Sequence, residues 1–517
     1  MSGGSLPRHP RFAFAWKTMG AVALLNVTVA FAAFLKDLWL AKYLGTSAEA
    51  DALAFAYFIP DAVGNNLFAA ALGVACVPVL SRAAMADPGE GFDRAVASVL
   101  RAAAGWALGL CLLVALAAPW LASVPSGAAG RFAPGDLTAV LLWLLCPSIL
   151  LFPLLTLGTA ALQAKGKFRW AAAAPLWFNV VFLLAVGASD LLRLEPGAGA
   201  AAIAVGITAA VAAGAWSVGK PLARAVRAGA ASAERAPLGR WILPYLAVLL
   251  CAQAVYFAER WLAGMTGPGA ISGLSYAFRL AQFPIWTLIA AVTAVILPEL
   301  AAEGREGEAR RRSTLSKAMS VGWACALPIA ALLHLLAEPI AAALFQRGAF
   351  DARSLAITVS ILKGYALSIP GQALFLVGLR YFLAKGSLRE TVGIAFASGA
   401  LTVAFDLALL PRLGLAAIGY GAAAGAAAQA VGMLLLLVLK HRALGRPWLA
   451  GAGLALAANV PPALLLERAL RLPYVAEALS GGWSRYAALA SFAVAYIALG
   501  FAIYYLIQTI TRKKGTS

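Results

Sequence analysis

Residues 137–162 read LTAVLLWLLCPSILLFPLLTLGTAAL, a run of 26 residues without a charged side chain. A helix that crosses the hydrocarbon core of a bilayer needs about 20 consecutive, mostly apolar residues. This run is long enough to do so, and it has no polar face to present to water. It therefore predicts a membrane-spanning helix.

Thirteen further segments of this kind lie along the 517 residues. With the first, the predicted spans are 18–36, 52–81, 95–121, 137–162, 170–189, 199–219, 241–262, 271–299, 316–344, 355–384, 390–410, 414–439, 448–466 and 485–510. Charged residues make up only 12% of the chain, whereas soluble proteins carry about 25%. We therefore predict an all-α polytopic membrane protein with about 14 transmembrane helices, and the composition excludes disordered, collagen-like and disulfide-scaffold proteins.

The basic residues indicate how the chain crosses the membrane. The formal net charge of +19 resides mostly in short segments between the apolar runs. With the N-terminus placed in the cytoplasm, 27 Lys and Arg residues fall on the inner side and ten on the outer side. This bias predicts that both termini are cytoplasmic. The inner bases would then face anionic membrane lipids, and we expect no nucleic-acid partner.

The sequence contains no pattern that is typical of catalysis or metal binding. The five cysteines lie in apolar runs without a CxxC pair, and the three histidines are scattered. There is no P-loop, GxSxG or HExxH motif. We therefore expect a protein that is not an enzyme and that uses no metal and no cofactor.

The chain resembles itself at an offset of about 220 residues. Residues 162–168 read LQAKGKF and residues 382–388 read FLAKGSL, each in an inner loop between two predicted helices. Paired helix prolines also recur in each half: Pro60 and Pro78, then Pro284 and Pro298. Six predicted helices separate equivalent motifs, so the two halves have the same orientation in the membrane.

This repeat predicts two six-helix lobes in a parallel pseudo-repeat plus two C-terminal helices. The predicted domains are an N-terminal lobe (1–220), a C-terminal lobe (221–446) and a segment with the last two helices and a basic tail (447–517). Parallel repeats of this kind build transporters in which two lobes rock around a site at the middle of the membrane.

Two arginines lie inside predicted spans on either side of one turn. Arg260 is seven residues before Gly267 and Arg279 is twelve residues after it, which predicts depths of about 10 and 18 Å from the turn. Guanidinium groups bind phosphate through paired hydrogen bonds, so the two arginines could hold a diphosphate. The alternative is structural: Glu259 neutralises Arg260, and Arg279 extends toward the membrane surface.

Several acidic residues in or near the spans are further candidates. Asp406, with Thr402 one turn earlier, is either a cation or proton site or the partner of a buried base. Lys36 and Asp37 end the first predicted helix, and Asp51 opens the second. Charged residues at helix ends are most often anchors at the membrane surface.

Short motifs in a fixed order resemble one transporter family. They are Asp37 with Leu40–Gly45, Asp51 between two alanines, Phe58–Pro60, Val77–Leu80, Leu162–Ala164 with Pro175 and Asn179, Ser275–Leu280, and Phe345–Phe350. In this order they resemble the MurJ/MviN lipid II flippases of the multidrug/oligosaccharidyl-lipid/polysaccharide exporter superfamily. The resemblance covers most of residues 30–440, and fourteen helices is the count of that family.

The resemblance implies transport of lipid II, the lipid-linked peptidoglycan precursor, across the bacterial cytoplasmic membrane by alternating access. It implies an ion gradient or membrane potential as the energy source. Under this hypothesis Arg260 and Arg279, with Glu259 beside them, bind the diphosphate, and Lys36 of the other lobe completes the site. Asp37 and Asp51 would orient or pair with these bases.

The chain also departs from the pattern of that family. Ala30 stands where the family has an arginine, and Lys36 replaces an arginine. After the proline of the second helix, the family has two arginines and then an acidic residue and a glycine, whereas this chain has Gly64–Asn66 and then Ala69 and Ala70. Two alternatives therefore stay open. One is export of another polyprenyl-diphosphate-linked glycan, for capsule, exopolysaccharide or teichoic acid, and the other is a cell-wall scaffold that transports nothing.

Overall fold

A computed structural model describes residues 11–123, 135–228, 243–301, 307–385, 388–480 and 482–514 of the chain. Within these ranges every regular element is a helix. The α-helices are α1 (Arg11–Leu44), α2 (Ala48–Pro60), α3 (Ala70–Ala86), α4 (Glu90–Ser123), α5 (Gly135–Leu145), α6 (Ser148–Ala164), α7 (Phe168–Leu191), α8 (Pro196–Ser217), α9 (Lys220–Ala228), α10 (Leu243–Gly264), α11 (Ala270–Ala301), α12 (Gly307–Leu335), α13 (Ala337–Phe345), α14 (Ala352–Lys385), α15 (Arg389–Leu413), α16 (Ala416–Leu435), α17 (Arg446–Leu470), α18 (Pro473–Ser480) and α19 (Gly482–Lys514). Two π-helical segments, Asp61–Ala69 and Leu436–Lys440, continue α2 into α3 and extend α16.

The predicted fold class is confirmed. Thirteen helical stretches of the described chain are long and apolar enough to cross a membrane, and each coincides with one predicted span. The fourteenth predicted span, 271–299, falls on α11, a helix of 32 residues. The prediction of cytoplasmic termini depends on both ends of the chain and on the predicted inner loops. Both ends and parts of these loops lie outside the described residues. Part of the second repeat motif also lies outside them.

Two predicted spans are broken helices rather than continuous ones. The stretch 137–162 divides into α5 and α6 at Cys146 and Pro147, because a proline cannot donate a backbone hydrogen bond to the preceding turn. The hydroxyl of Ser148 donates to the carbonyl of Leu145 at 2.6 Å across this break. The stretch 316–344 divides into α12 and α13 at Leu336, where the backbone leaves the helical region.

The first compact unit comprises the described parts of Met1–Tyr43, Phe55–Ser123 and Ala133–Ile242. Helices α3, α4, α6 and α9 contribute to one apolar cluster in this unit, which includes Leu80, Phe92, Leu157 and Leu222. At the C-terminal end of α1, Lys42 forms an ion pair with Asp190 of α7 at 2.8 Å. The unit is therefore held by apolar packing between helices and by polar contacts at their ends.

The second compact unit comprises Leu44–Ala54 and the described residues from Leu243 onward. Its helices α14 and α16 approach closely at glycines. A methyl group on Gly364 would overlap the backbone of Gly419, and one on Gly371 would overlap the backbone of Ala426. Small residues at such crossings let membrane helices pack backbone against backbone.

The segment Leu44–Ala54 joins α1 to α2 and belongs to the second unit. Gly45 has a φ of 57°, and its carbonyl oxygen accepts a hydrogen bond from the Tyr276 hydroxyl at 3.1 Å. The hydroxyls of Thr46 and Ser354 lie 2.8 Å apart. These contacts attach the turn between α1 and α2 to α11 and α14.

Candidate functional site

The two arginines proposed to bind a diphosphate lie on neighbouring helices of the second unit. The rings of Tyr256 on α10 and Phe278 on α11 contact edge to face, with centroids 4.9 Å apart. Arg260 follows Tyr256 by four residues and Arg279 follows Phe278 by one. Because a short turn makes these helices antiparallel, the two arginines differ in depth by about 8 Å along the helices.

Arg260 is buried, with 8% of its surface exposed, and Arg279 is half-buried. The Nη1 of Arg260 donates to the carbonyl oxygen of Tyr256 at 3.0 Å. This bond turns the side chain back along α10 toward the level of the Tyr256–Phe278 contact. The guanidinium of Arg260 therefore lies nearer to the depth of Arg279 than its Cα atom does.

Glu259 points into the interior of the second unit. The residue is 1% exposed, and its carboxylate accepts a hydrogen bond from the Tyr365 hydroxyl of α14 at 2.7 Å. The ring of Tyr365 also contacts Phe278, with centroids 5.9 Å apart. Glu259 is thus held by a tyrosine of α14, next to the aromatic pair that brings α10 and α11 together.

A cavity of about 230 Å³ lies among α10, α11, α14, α15 and α16. Its polar lining includes Glu259, Tyr365, Gln282, Gln372 and Thr402. Gln282 donates to Gln372 at 3.0 Å, which links α11 to α14 across the cavity. The cavity is smaller than the about 300–1,000 Å³ that is usual for small-molecule sites.

Asp406 of α15 is fully buried, and neither of its carboxylate oxygens has a hydrogen-bond partner in the described structure. A methyl group on Gly421 would overlap Asp406 Oδ1, so a glycine lets α16 lie against the carboxylate. Thr402, one turn earlier, lines the cavity and donates to the carbonyl oxygen of Ser398 at 3.0 Å. Glu259 is close enough to interact electrostatically with Asp406.

Asp51 belongs to α2, and its side chain lies against the N-terminal end of α11. Its carboxylate accepts hydrogen bonds from the backbone N–H of Gly269 at 2.7 Å and from the backbone N–H and hydroxyl of Ser272 at 2.7 and 2.6 Å. Asp51 is 2% exposed. The first N–H groups of a helix have no partner within the helix, and a carboxylate satisfies them while also neutralising the positive end of the helix dipole. This geometry assigns Asp51 a capping role in the second unit.

Lys36 and Asp37 lie in the first unit. The ammonium of Lys36 is 2.8 Å from Asp37 Oδ1 and 4.9 Å from the centroid of the Phe182 ring on α7. Both side chains are largely buried. The pair is therefore an ion pair within the helix bundle rather than an anchor that reaches into water.

A model of the lipid II flippase MurJ family matches residues 40–479, which is most of the chain. The chain belongs to the MurJ lipid II flippase family. The matched range contains the pair of arginines, Asp51 and Asp406. It confirms the resemblance that the sequence motifs indicated.

Curated MurJ proteins extend this similarity. The chain is 26% identical to the lipid II flippase MurJ of Burkholderia cenocepacia over 392 residues, which cover 74% of this chain and 76% of the relative. It is 27% identical to a probable lipid II flippase MurJ of Rhizobium meliloti, over 74% and 73% of the two chains.

Solved structures share the fold. A lipid II flippase MurJ in an inward closed conformation superposes with a TM-score of 0.74 at 18% identity, over 96% of this chain and 99% of that one. An inward-facing multidrug transporter of the MATE family has a TM-score of 0.63 at 17% identity, over 80% and 96% of the two chains. The fold is that of MurJ and of the wider superfamily.

The structure places the residues predicted to act in transport in four groups. Three groups lie in the second unit: Glu259, Arg260 and Arg279 on α10 and α11, Thr402 and Asp406 on α15, and Asp51 against the start of α11. Lys36 and Asp37 lie in the first unit. Sequence reasoning missed Tyr365 and Gln372. In the sequence, the one hint for Tyr365 is that it directly follows Gly364, a small residue of the kind found where membrane helices pack closely.

Proposed function

We propose that this chain translocates lipid II across the bacterial cytoplasmic membrane by alternating access, with both termini in the cytoplasm. The observation that carries the proposal is the match of the MurJ family model over residues 40–479. The chain would act as a transporter that makes and breaks no covalent bond. The 27-to-10 distribution of basic residues supports the orientation.

Arg260 and Arg279 would bind the diphosphate of the substrate. They lie on adjacent helices at depths that differ by about 8 Å, and Arg260 is turned toward the level of Arg279. Guanidinium groups hold phosphate oxygens through charge-assisted hydrogen bonds, each worth about 1.5–3 kcal/mol. The roles of Lys36, Asp37 and Asp51 in substrate binding stay predictions.

Complementation tests this proposal. A strain depleted of its own lipid II flippase would express this chain, and growth and the exposure of lipid II on the outer leaflet would be scored. We expect rescue by the wild-type chain and its loss with Arg279→Ala. Arg380→Ala is the matched control, because Arg380 is an exposed arginine of the same unit.

The outcomes separate the alternatives. Growth with Arg279→Ala equal to wild type would refute the diphosphate site while leaving lipid II transport intact. No rescue by a wild-type chain that reaches the membrane would refute lipid II as the substrate. Deletion in the native host would then distinguish export of another lipid-linked glycan, which leaves a glycan defect, from a scaffold role.

We infer that Asp406, with Thr402, is the site of the coupling cation or proton. Its oxygens are buried without hydrogen-bond partners, and Glu259 is a second buried carboxylate nearby. Buried negative charge in a membrane protein attracts a cation or a proton. In proteoliposomes, we expect flipping by the wild type to depend on a sodium or proton gradient and Asp406→Asn to lose that dependence. An unchanged gradient dependence in Asp406→Asn would refute this assignment.

A further inference from the structure

The π-helical segment Asp61–Ala69 interrupts an otherwise continuous helix of the first unit. The carboxylate of Asp61 accepts a hydrogen bond from the Asn65 amide at 3.0 Å and another from the Asn66 amide at 2.9 Å. In a regular α-helix, the residue five positions along is rotated by about 140° and could not share this carboxylate. The wider π-helical turn brings both asparagines within reach of this carboxylate, and such segments occur frequently at functional sites.

These three polar side chains lie at membrane depth. Asp61 is thirteen residues from the start of α2, or about 20 Å at 1.5 Å per residue, where the hydrocarbon core is about 30 Å thick. All three side chains are half-buried rather than fully enclosed. Ionisable groups inside a membrane almost always face the interior of the helix bundle or a water-filled cavity, because lipid would leave them unsolvated. Since none of the three side chains is fully enclosed, we expect a solute to reach them.

The group offers neutral hydrogen-bonding atoms around one negative charge. After each amide has donated one N–H to Asp61, it keeps a carbonyl oxygen and a second N–H, and neither asparagine amide forms another hydrogen bond in the described structure. Tyr57, one turn before Asp61, packs its ring edge to face against Phe182 of α7. The amide groups that stay available match the hydroxyl and amide groups of a ligand.

We propose that Asp61, Asn65 and Asn66 bind the neutral sugar and amide groups of the substrate headgroup. This inference rests on the proposed function, because it assumes that the substrate is a lipid-linked glycan. This group would recognise the glycan and the peptide of the substrate rather than its diphosphate. A site built to hydrogen-bond a polar ligand discriminates strongly against an analogue that lacks the polar groups.

The test compares two ligands on the full-length protein in nanodiscs. Lipid II carries the diphosphate, sugars and peptide, whereas undecaprenyl diphosphate carries the diphosphate alone. We expect N65A/N66A to bind lipid II about tenfold more weakly, since two neutral hydrogen bonds are lost, and to bind undecaprenyl diphosphate within about twofold of wild type. Asn179→Ala is the matched control, because it removes an asparagine of the same unit that is buried and bonded to the Pro175 carbonyl.

The results separate this proposal from the function on which it rests. Equal losses for both ligands, or no loss for lipid II, would overturn the asparagine site. If wild type binds neither ligand, the proposed function fails and this inference fails with it. We expect Arg279→Ala to bind both ligands more weakly. This result would indicate that residues other than the two asparagines bind the diphosphate. If N65A/N66A does not fold, Asn66→Ser replaces it and is judged by the same ratio of affinities.

Discussion

Removal of the Asp51 carboxylate should destabilise the second unit through the first turn of α11. Asp51 is 2% exposed and accepts three hydrogen bonds of 2.6–2.7 Å, two of them from backbone N–H groups. In Asp51→Ala, these backbone donors of Gly269 and Ser272 lose their acceptor. The hydroxyl of Ser272 keeps a second partner, the Gly269 carbonyl at 3.2 Å.

The expected cost follows from these bonds. A buried donor without an acceptor costs about 1–3 kcal/mol, so Asp51→Ala should lower the free energy of unfolding by about 2–6 kcal/mol. Asp51→Asn keeps one acceptor oxygen but loses the negative charge at the helix N-terminus, which predicts a cost of about 1–2 kcal/mol. Ser272→Ala removes only the hydroxyl bond and should cost about 0.5–1.5 kcal/mol.

Unfolding by titration with SDS in mixed micelles, followed by tryptophan fluorescence, measures these differences. Asp351→Ala is the matched control, because Asp351 caps α14 through the Ser354 N–H at 2.8 Å but is exposed to water. Its cost should be about 1 kcal/mol, as for an ordinary helix cap. Hydrogen exchange at the Gly269 and Ser272 amides provides a local readout and should accelerate in Asp51→Ala.

Two results would refute this reasoning. One is a cost for Asp51→Ala no larger than that for Asp351→Ala, which would mean that burial adds nothing to the cap. The other is strict additivity of Asp51→Ala and Ser272→Ala, because residues that share a hydrogen bond should show a coupling energy of at least about 0.5 kcal/mol.

Three further predictions concern packing and charge. Gly364→Ala should cost about 1–3 kcal/mol in the same unfolding assay, because the added methyl overlaps the Gly419 backbone, and equal stability would contradict the close crossing. Asp190→Asn should cost no more than about 1 kcal/mol, because its partner Lys42 is half exposed, and the difference should shrink in high salt. The backbone N–H groups of Gly89 and Gly91 lower the pKa of the Asp87 carboxyl group. The charged carboxylate therefore stabilises the folded state at pH values above its unfolded pKa of about 3.9. This stabilisation is lost as the pH falls through the lower pKa of the folded state. Stability measured against pH should therefore show Asp87→Asn below wild type at pH 7 and equal to it in strong acid.

Much of the fold could be predicted from the sequence because a membrane helix is a local structure. In lipid, each spanning helix must satisfy its own backbone hydrogen bonds, so a long apolar run is sufficient to predict one. All fourteen predicted spans fall on helices. The breaks at Pro147 and Leu336 and the π-helical turn after Pro60 were not predicted. Prolines occur in unbroken membrane helices as well, and a leucine such as Leu336 does not indicate a break.

The candidate site could be predicted only in part. Arg260 and Arg279 stood out because charge is rare inside a membrane span, and their separation in depth followed from counting residues to the turn between them. Tyr365 and Gln372 carry no such signal, since a tyrosine or a glutamine in a helix is usual. Their importance follows from contacts with Glu259 and Gln282, more than 80 residues away along the chain.

The sequence by itself determined the membrane class, the helices and the family, because these depend on apolar runs and on motifs whose order is visible along the chain. The tertiary structure alone decided the partners of the charged residues. Asp51 opens α2, yet it caps a helix that begins 219 residues later in the chain. Glu259 is bonded to Tyr365 of α14, and Asp406 is left without a hydrogen bond. Such pairings depend on which helices pack together, and that arrangement is set by the close approach of glycines and aromatic rings from distant parts of the chain.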